Sequence, residues 1–157
     1  MEFNLIPDFN SGALYSRKLS SEILKTNDIS INYGLELKES DVAMLVQASK
    51  DSIIDNDRIE FGESATIKIL SKFMQSSYVS QSCYAETIAS LIDIFYEVKE
   101  ESLDILTDYE VIDMMFNFFE NESGGSIEVL QNRDMDTLCR KIRYTAMGIK
   151  DDDMEQE

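Results

Sequence analysis

The sequence contains no histidine, a single proline (Pro7) and only two cysteines among its 157 residues. Without histidine the commonest general base, the usual activator of a serine or cysteine nucleophile and the main nitrogen ligand for zinc or iron are all missing. Ser–His and Cys–His mechanisms are therefore excluded. The chain also carries neither G-x-x-x-x-G-K-[ST] nor G-x-G-x-x-G, so no phosphate cradle is signalled. Cys83 and Cys139 lie far apart and form no C-x-x-C pair. Two cysteines do not make a disulfide framework, and both are expected to be small buried apolar groups in a reducing compartment. The opening residues, Met1 to Asp8, lack a basic stretch followed by a long apolar run, so no signal peptide is expected. No apolar stretch approaches the roughly 20 residues of a membrane span. A cytoplasmic protein is expected.

Positive charge is scarce as well. Lys and Arg number 14 against 31 Asp and Glu, giving a formal charge of -17. The excess is concentrated in residues 35–122, which hold 6 basic and 19 acidic side chains. Such a surface repels phosphate backbones and anionic headgroups, so neither nucleic acid nor a membrane surface is expected as partner. It favours basic partners or cations, or is simply the acidic skin of a solvated protein.

What is present is a chain of one-domain length with 43% apolar residues, ample for one continuous core. Residues 1–9 read as a flexible leader, 10–147 as a single helical domain and 148–157 as an acidic disordered tail. The apolar spacing predicts six helices. The first runs to Lys25 with Tyr15, Leu19 and Ile23 on one face, and the second covers about 39–54 with Val42, Leu45, Val46, Ser49 and Ile53 inward. The third covers about 63–75. The fourth, about 82–102, has Tyr84, Ile88, Leu91, Phe95 and Val98 at alternating steps of four and three, the seam of a central bundle helix. The fifth opens on Thr107-Asp108-Tyr109-Glu110, which fits a capping box, and stops before Ser123-Gly124-Gly125. The sixth spans about 133–146. Ile29, Ile31, Tyr33, Leu35 and Leu37 instead alternate with polar residues or glycine, the period of a strand. With an extended piece at Arg58–Gly62 they predict a short two-stranded β pair, residues 29–37 and 58–62, in an otherwise mainly α single-domain bundle.

Four segments carry a resemblance. Tyr33-Gly34-Leu35-Glu36-Leu37, Arg58-Ile59-Glu60-Phe61-Gly62, Tyr84-Ala85-Glu86-Thr87 and the run from Ile94 to Asp104 resemble, in that order, an uncharacterised family of small clostridial-type bacterial proteins. The resemblance covers about residues 13–145. It implies a bacterial cytoplasmic protein of unknown function, with no catalytic residues to carry over. Lys38 departs from it, since the family more often places a hydroxyl residue at the start of that helix, and Ser40 is then the substitute cap.

Carboxylate and contact chemistry remain. Asp55, Asp57, Glu60 and Glu63 are candidate ligands for a hard cation, although Ile59 and Glu60 stand where a calcium loop needs a ligand and a glycine. The plainer account is a helix end, a turn and a helix start. Arg58 and Glu60 beside Phe61 are a candidate recognition pair, or else Arg58 forms an internal salt bridge. Glu97 and Glu101 belong to an acidic face with Asp93, Glu100, Asp104 and Asp108 that could receive a basic partner or stand solvated. Met114, Met115, Phe118 and Phe119 make the fifth helix apolar nearly all round, so it is central or presents a partner-binding face. Arg133, Arg140, Lys141 and Arg143 make the last helix the one basic piece, suited to its dipole and to docking on the acidic middle. The function expected is non-enzymatic protein interaction or regulation, through a partner or self-association and without a cofactor. The alternative is a divalent-cation-dependent, carboxylate-based enzyme or ion-binding protein.

Overall fold

Helices form where apolar residues recur every three or four positions between a start and a stop signal. The computed structural model describes residues 5–58 and 62–149, with side chains from residue 12 onward. α1 spans Leu5–Lys25, and α2, Asn27–Ser30, runs on as a 3-10 turn at Ile31–Tyr33. Then come α3 (Glu39–Asp55), α4 (Ala65–Phe73) and α5 (Tyr84–Glu101), the last entered through a 3-10 turn at Gln81–Cys83. α6 (Asp108–Glu120) is followed by the short α7 (Ile127–Val129), a π turn at Leu130–Asp134 and α8 (Met135–Ala146). α1, α3, α4, α5, α6 and α8 correspond to the six helices that the periodicity predicts, and the chain is a helical bundle. α1 begins at Leu5, inside the stretch read as a leader, and residues 150–157 lie outside the described residues. Among the described residues no helix is long and apolar enough to cross a membrane.

The starts are chemically explicit. Thr107 Oγ1 accepts from the Glu110 N–H at 3.1 Å while the Thr107 N–H donates to Glu110 Oε1 at 2.8 Å, closing the capping box of α6. Ser64 Oγ accepts from the Thr66 N–H at 3.1 Å and starts α4. α3 departs from expectation. Lys38, not Ser40, holds the N-cap position, and the Asp41 carboxylate accepts from its backbone N–H at 2.9 Å. That is the return half of a capping box, without the hydroxyl that would accept from the first turn of the helix.

The expected β pair is not formed, and no strand occurs among the described residues. Ile29, Ile31 and Tyr33 lie in helical turns and are exposed. Gly34 adopts φ +77, donating from its N–H to the Ile31 carbonyl while Leu35 donates to Ser30, which is the left-handed helix ending that glycine favours. Beyond it Leu35 and Leu37 are buried while Glu36 between them is exposed, as their alternation implies. Side-chain amides take the place of a partner strand. Asn27 bonds both backbone groups of Leu37 (2.9 and 3.0 Å), and Gln81 bonds both of Glu36 (2.7 and 2.9 Å). The alternation predicts a strand; instead two amides satisfy the backbone of Glu36 and Leu37 without a sheet. Of the second expected strand, residues 59–61 lie outside the described residues, and Arg58 continues the turn that ends α3.

α5 is the central helix, lying against α3, α4, α6 and α8. Tyr84, Ile88, Leu91, Phe95 and Val98 are all buried, with Ile92 and Tyr96 widening the stripe. The core runs without a break into α6, whose Met115, Phe118 and Phe119 are buried and whose Met114 is half-buried. Phe73 of α4 meets Phe116 and Phe119 edge-on at centroid distances of 5.3 and 5.5 Å, and Tyr78 meets Phe119 at 6.3 Å. Gly125, at φ +80, permits this closure, since a Cβ there would fall 2.1 Å from the Tyr78 ring. The partner-binding face expected on this helix is therefore not offered by Met115, Phe118 or Phe119, because α4, α5 and α8 already cover them.

Candidate functional site

The end of α3 and the loop joining α5 to α6 come together at one end of the bundle. α3 stops in a complete left-handed ending with an aspartate in the glycine position. Asp57 has φ 52, its N–H donates to the Ile54 carbonyl at 3.1 Å, and the Arg58 N–H donates to Ile53 at 2.9 Å. Aspartate tolerates this conformation better than most residues. The turn carries Arg58 across to α5, where Nη1 lies 2.7 Å from Glu100 Oε1 and Nη2 meets Asp104 Oδ1. Burial alone would lower the Arg58 guanidinium, but the bonds to Asp104 and Glu100 outweigh it and raise its pKa.

The facing loop is held from beneath. Lys99, 6% exposed, donates to the Leu106 carbonyl at 2.6 Å and lies 3.0 Å from Asp108 Oδ1. Lys68 approaches the other oxygen of Asp108 at 3.0 Å. Burial pushes the Asp108 carboxyl up, yet the two ammonium groups more than offset this and hold it below the usual carboxylate range. Ser102, fully buried, donates to the Lys99 carbonyl at 2.8 Å. Pinned at both ends, the loop places Leu103 at φ 54 and Asp104 at φ 60.

Asn56, Asp57, Arg58, Glu100 and Asp104 line a surface hollow of about 420 Å³ between these segments. Leu103 (71% exposed), Ile54 (69%) and Ile105 (60%) are the three most exposed large apolar side chains among the described residues, and each is a close sequence neighbour of a residue lining the hollow. Tyr109, also exposed, donates from its hydroxyl to Glu63 Oε1 at 2.7 Å beneath the Lys68 ammonium, 5.1 Å from the ring centre.

The residues singled out from sequence separate into three places. Arg58 sits in this hollow; Glu60 and Phe61 lie outside the described residues. Glu97 and Glu101 belong to a second hollow of about 440 Å³ between α5 and α8, shared with Met135, Asp136, Cys139, Arg140 and Arg143. There Arg143 Nη1 lies 2.6 Å from Glu101. Met115, Phe118 and Phe119 are in the core, with the Lys141 ammonium 5.7 Å above the Phe118 ring. The acidic run from α5 to the start of α6 is thus largely answered from inside the chain. Ser52 bonds Asp93 at 2.6 Å, Arg58 holds Glu100 and Asp104, Arg143 holds Glu101, and Lys68 and Lys99 hold Asp108. Of the metal candidates Asp55, Asp57, Glu60 and Glu63, Glu60 lies outside the described residues; among the described residues no group of three or more Cys, Asp or Glu could hold an ion. Both cysteines are half-buried free thiols. Burial, then Glu101 and Glu97, push the Cys139 thiol up to about 11, so it is a poor nucleophile; hydrogen bonds with Ser80 draw the Cys83 thiol down.

Sequence reasoning missed Ile54, Leu103 and Ile105. The available signal was apolar residues off the helical period: Leu103 and Ile105 alternate with Ser102 and Asp104 between the end of one helix and the capping box of the next.

Architecture and site together define an all-α bundle with a mixed acidic and apolar surface at one end. Residues 22–148 match the model of a family of unknown function (DUF6323), and the chain belongs to that family. No curated protein and no solved structure matches it.

Proposed function

We propose that the protein is a non-enzymatic interaction or regulatory protein that docks another protein on the end of the bundle formed by the α3 terminus and the α5–α6 loop. The observation that carries this reading is Leu103. A leucine held at positive φ and 71% exposed gives little to the fold: the left-handed backbone costs about 1–2 kcal/mol, and the side chain buries little apolar area in return. Glycine or asparagine would serve the turn better. An exposed apolar residue retained in strained backbone supports a role in contact with something else. Ile54 and Ile105, also strongly exposed and close in sequence to residues lining the hollow, would extend this surface, with the carboxylates of the hollow as its polar rim, the arrangement of a small interface.

Affinity capture from native lysate at low salt tests this. The protein is expected to recover a specific protein, and an Ile54→Ser, Leu103→Asn, Ile105→Ser variant with unchanged melting is expected to lose it. A Met147→Ser variant, altered at another exposed apolar position, is expected to retain it. Equal recovery by the triple variant, or no recovery by the parent, would overturn the reading.

A further inference from the structure

We infer that Arg58 is an internal placeholder, and that the partner docks by inserting an arginine or lysine, carried between apolar residues, onto Glu100 and Asp104 in its place. This rests on the docking reading above and adds the chemistry of the partner. Asp57, Glu100 and Asp104 outnumber Arg58 three to one in the lining of the hollow, so the field there stays negative with the guanidinium in place and draws a second cation. The Glu100 and Asp104 side chains remain 53% and 62% exposed, whereas that of Arg58 is 19% exposed. Both carboxylates therefore remain accessible to an incoming donor. Displacing Arg58 is not prohibitive, because a pair whose carboxylate is more than half exposed typically shifts an equilibrium by about fivefold or less. The apolar residues beside the incoming cation would rest on the exposed side chains of Ile54, Leu103 and Ile105. An acidic partner fits badly, since Arg58, the cation among the described lining residues, is already held by two carboxylates.

The test uses the full chain and a short capped peptide with one arginine between leucines, followed by amide chemical shifts and calorimetry. Shifts are expected at residues 52–58 and 100–109. Arg58→Gln should tighten binding roughly threefold to tenfold by removing the competitor. Arg17→Gln, which makes the same charge change on α1, should leave affinity within about twofold. A Glu100→Gln, Asp104→Asn variant should weaken binding at least tenfold, as should replacing the peptide arginine with citrulline. If the peptide binds at this end but Arg58→Gln weakens or does not change its affinity, the placeholder role is wrong and the docking surface stands. If shifts are absent at millimolar peptide or spread over the whole acidic surface, both fail.

Discussion

Lys99→Met is the sharpest probe of how the α5–α6 loop is held. Methionine keeps the length and apolar stem of the side chain and removes only the ammonium. Two interactions go: the bond to the Leu106 carbonyl at 2.6 Å and the pairing with Asp108 at 3.0 Å. Breaking a fully buried ion pair costs about 3–5 kcal/mol. Here Asp108 keeps Lys68 at 3.0 Å, and its side chain is 28% exposed, so the loss should be smaller, about 2–3 kcal/mol. For a chain of this size that is a fall of about 5–10 °C in Tm, read by circular dichroism at neutral pH. The difference should depend on pH. Asp108 titrates below its ordinary value, so its ion pairs stabilise fully above the unfolded carboxylate pKa of about 3.9. That contribution is lost as pH falls through the lower folded value. The advantage of the parent over Lys99→Met should therefore shrink in acid. A Lys99→Met protein within about 0.5 kcal/mol of the parent at neutral pH, the range of ordinary surface substitutions, would refute the anchoring role of this lysine.

Other outcomes follow from the same geometry. Leu103→Gly should not lower Tm and should stabilise by up to about 1 kcal/mol, because relieved strain outweighs unfolded-state entropy, while partner capture is lost; destabilisation beyond about 1 kcal/mol would show that the leucine serves the fold. Asn27→Ala leaves both backbone groups of Leu37 unanswered and should cost about 1–3 kcal/mol by urea denaturation, with Asn27→Asp, which keeps one acceptor, falling between. Alkylation near neutral pH should label Cys83 well before Cys139, as peptide mass mapping would show, because burial raises the Cys139 thiol to about 11; equal rates would contradict that placement.

The helices were legible because each rests on a local signal that tertiary contacts reinforce. The seam from Tyr84 to Val98 became the buried stripe of the central helix, and Thr107 with Glu110 became the cap it resembled. The β pair misled because alternation reports extended backbone and side-chain direction, not hydrogen-bond partners. Leu35 and Leu37 alternate as a strand would, but Gln81, 45 residues from Glu36, and Asn27 supply the bonds. The contact surface was harder to read. Sequence attention fell on Met115, Phe118 and Phe119 because apolar density is visible, whereas exposure is not. Only packing shows that these three are covered by neighbouring helices while Leu103 and Ile105, in a short linker, are not. The acidic run from α5 to the start of α6 was visible, but Arg58, Lys68 and Arg143, which answer parts of it, lie about 40 residues away from their partners in sequence.

The most direct test of a docking surface at this end is site-specific photo-cross-linking in the native cell, with a benzophenone side chain at position 103 or 105 and, for comparison, at the exposed positions 14 and 147. One defined protein cross-linked from 103 and 105 but not from 14 and 147 is the predicted result. Adducts of equal yield from all four positions, or none from 103 and 105, would contradict it.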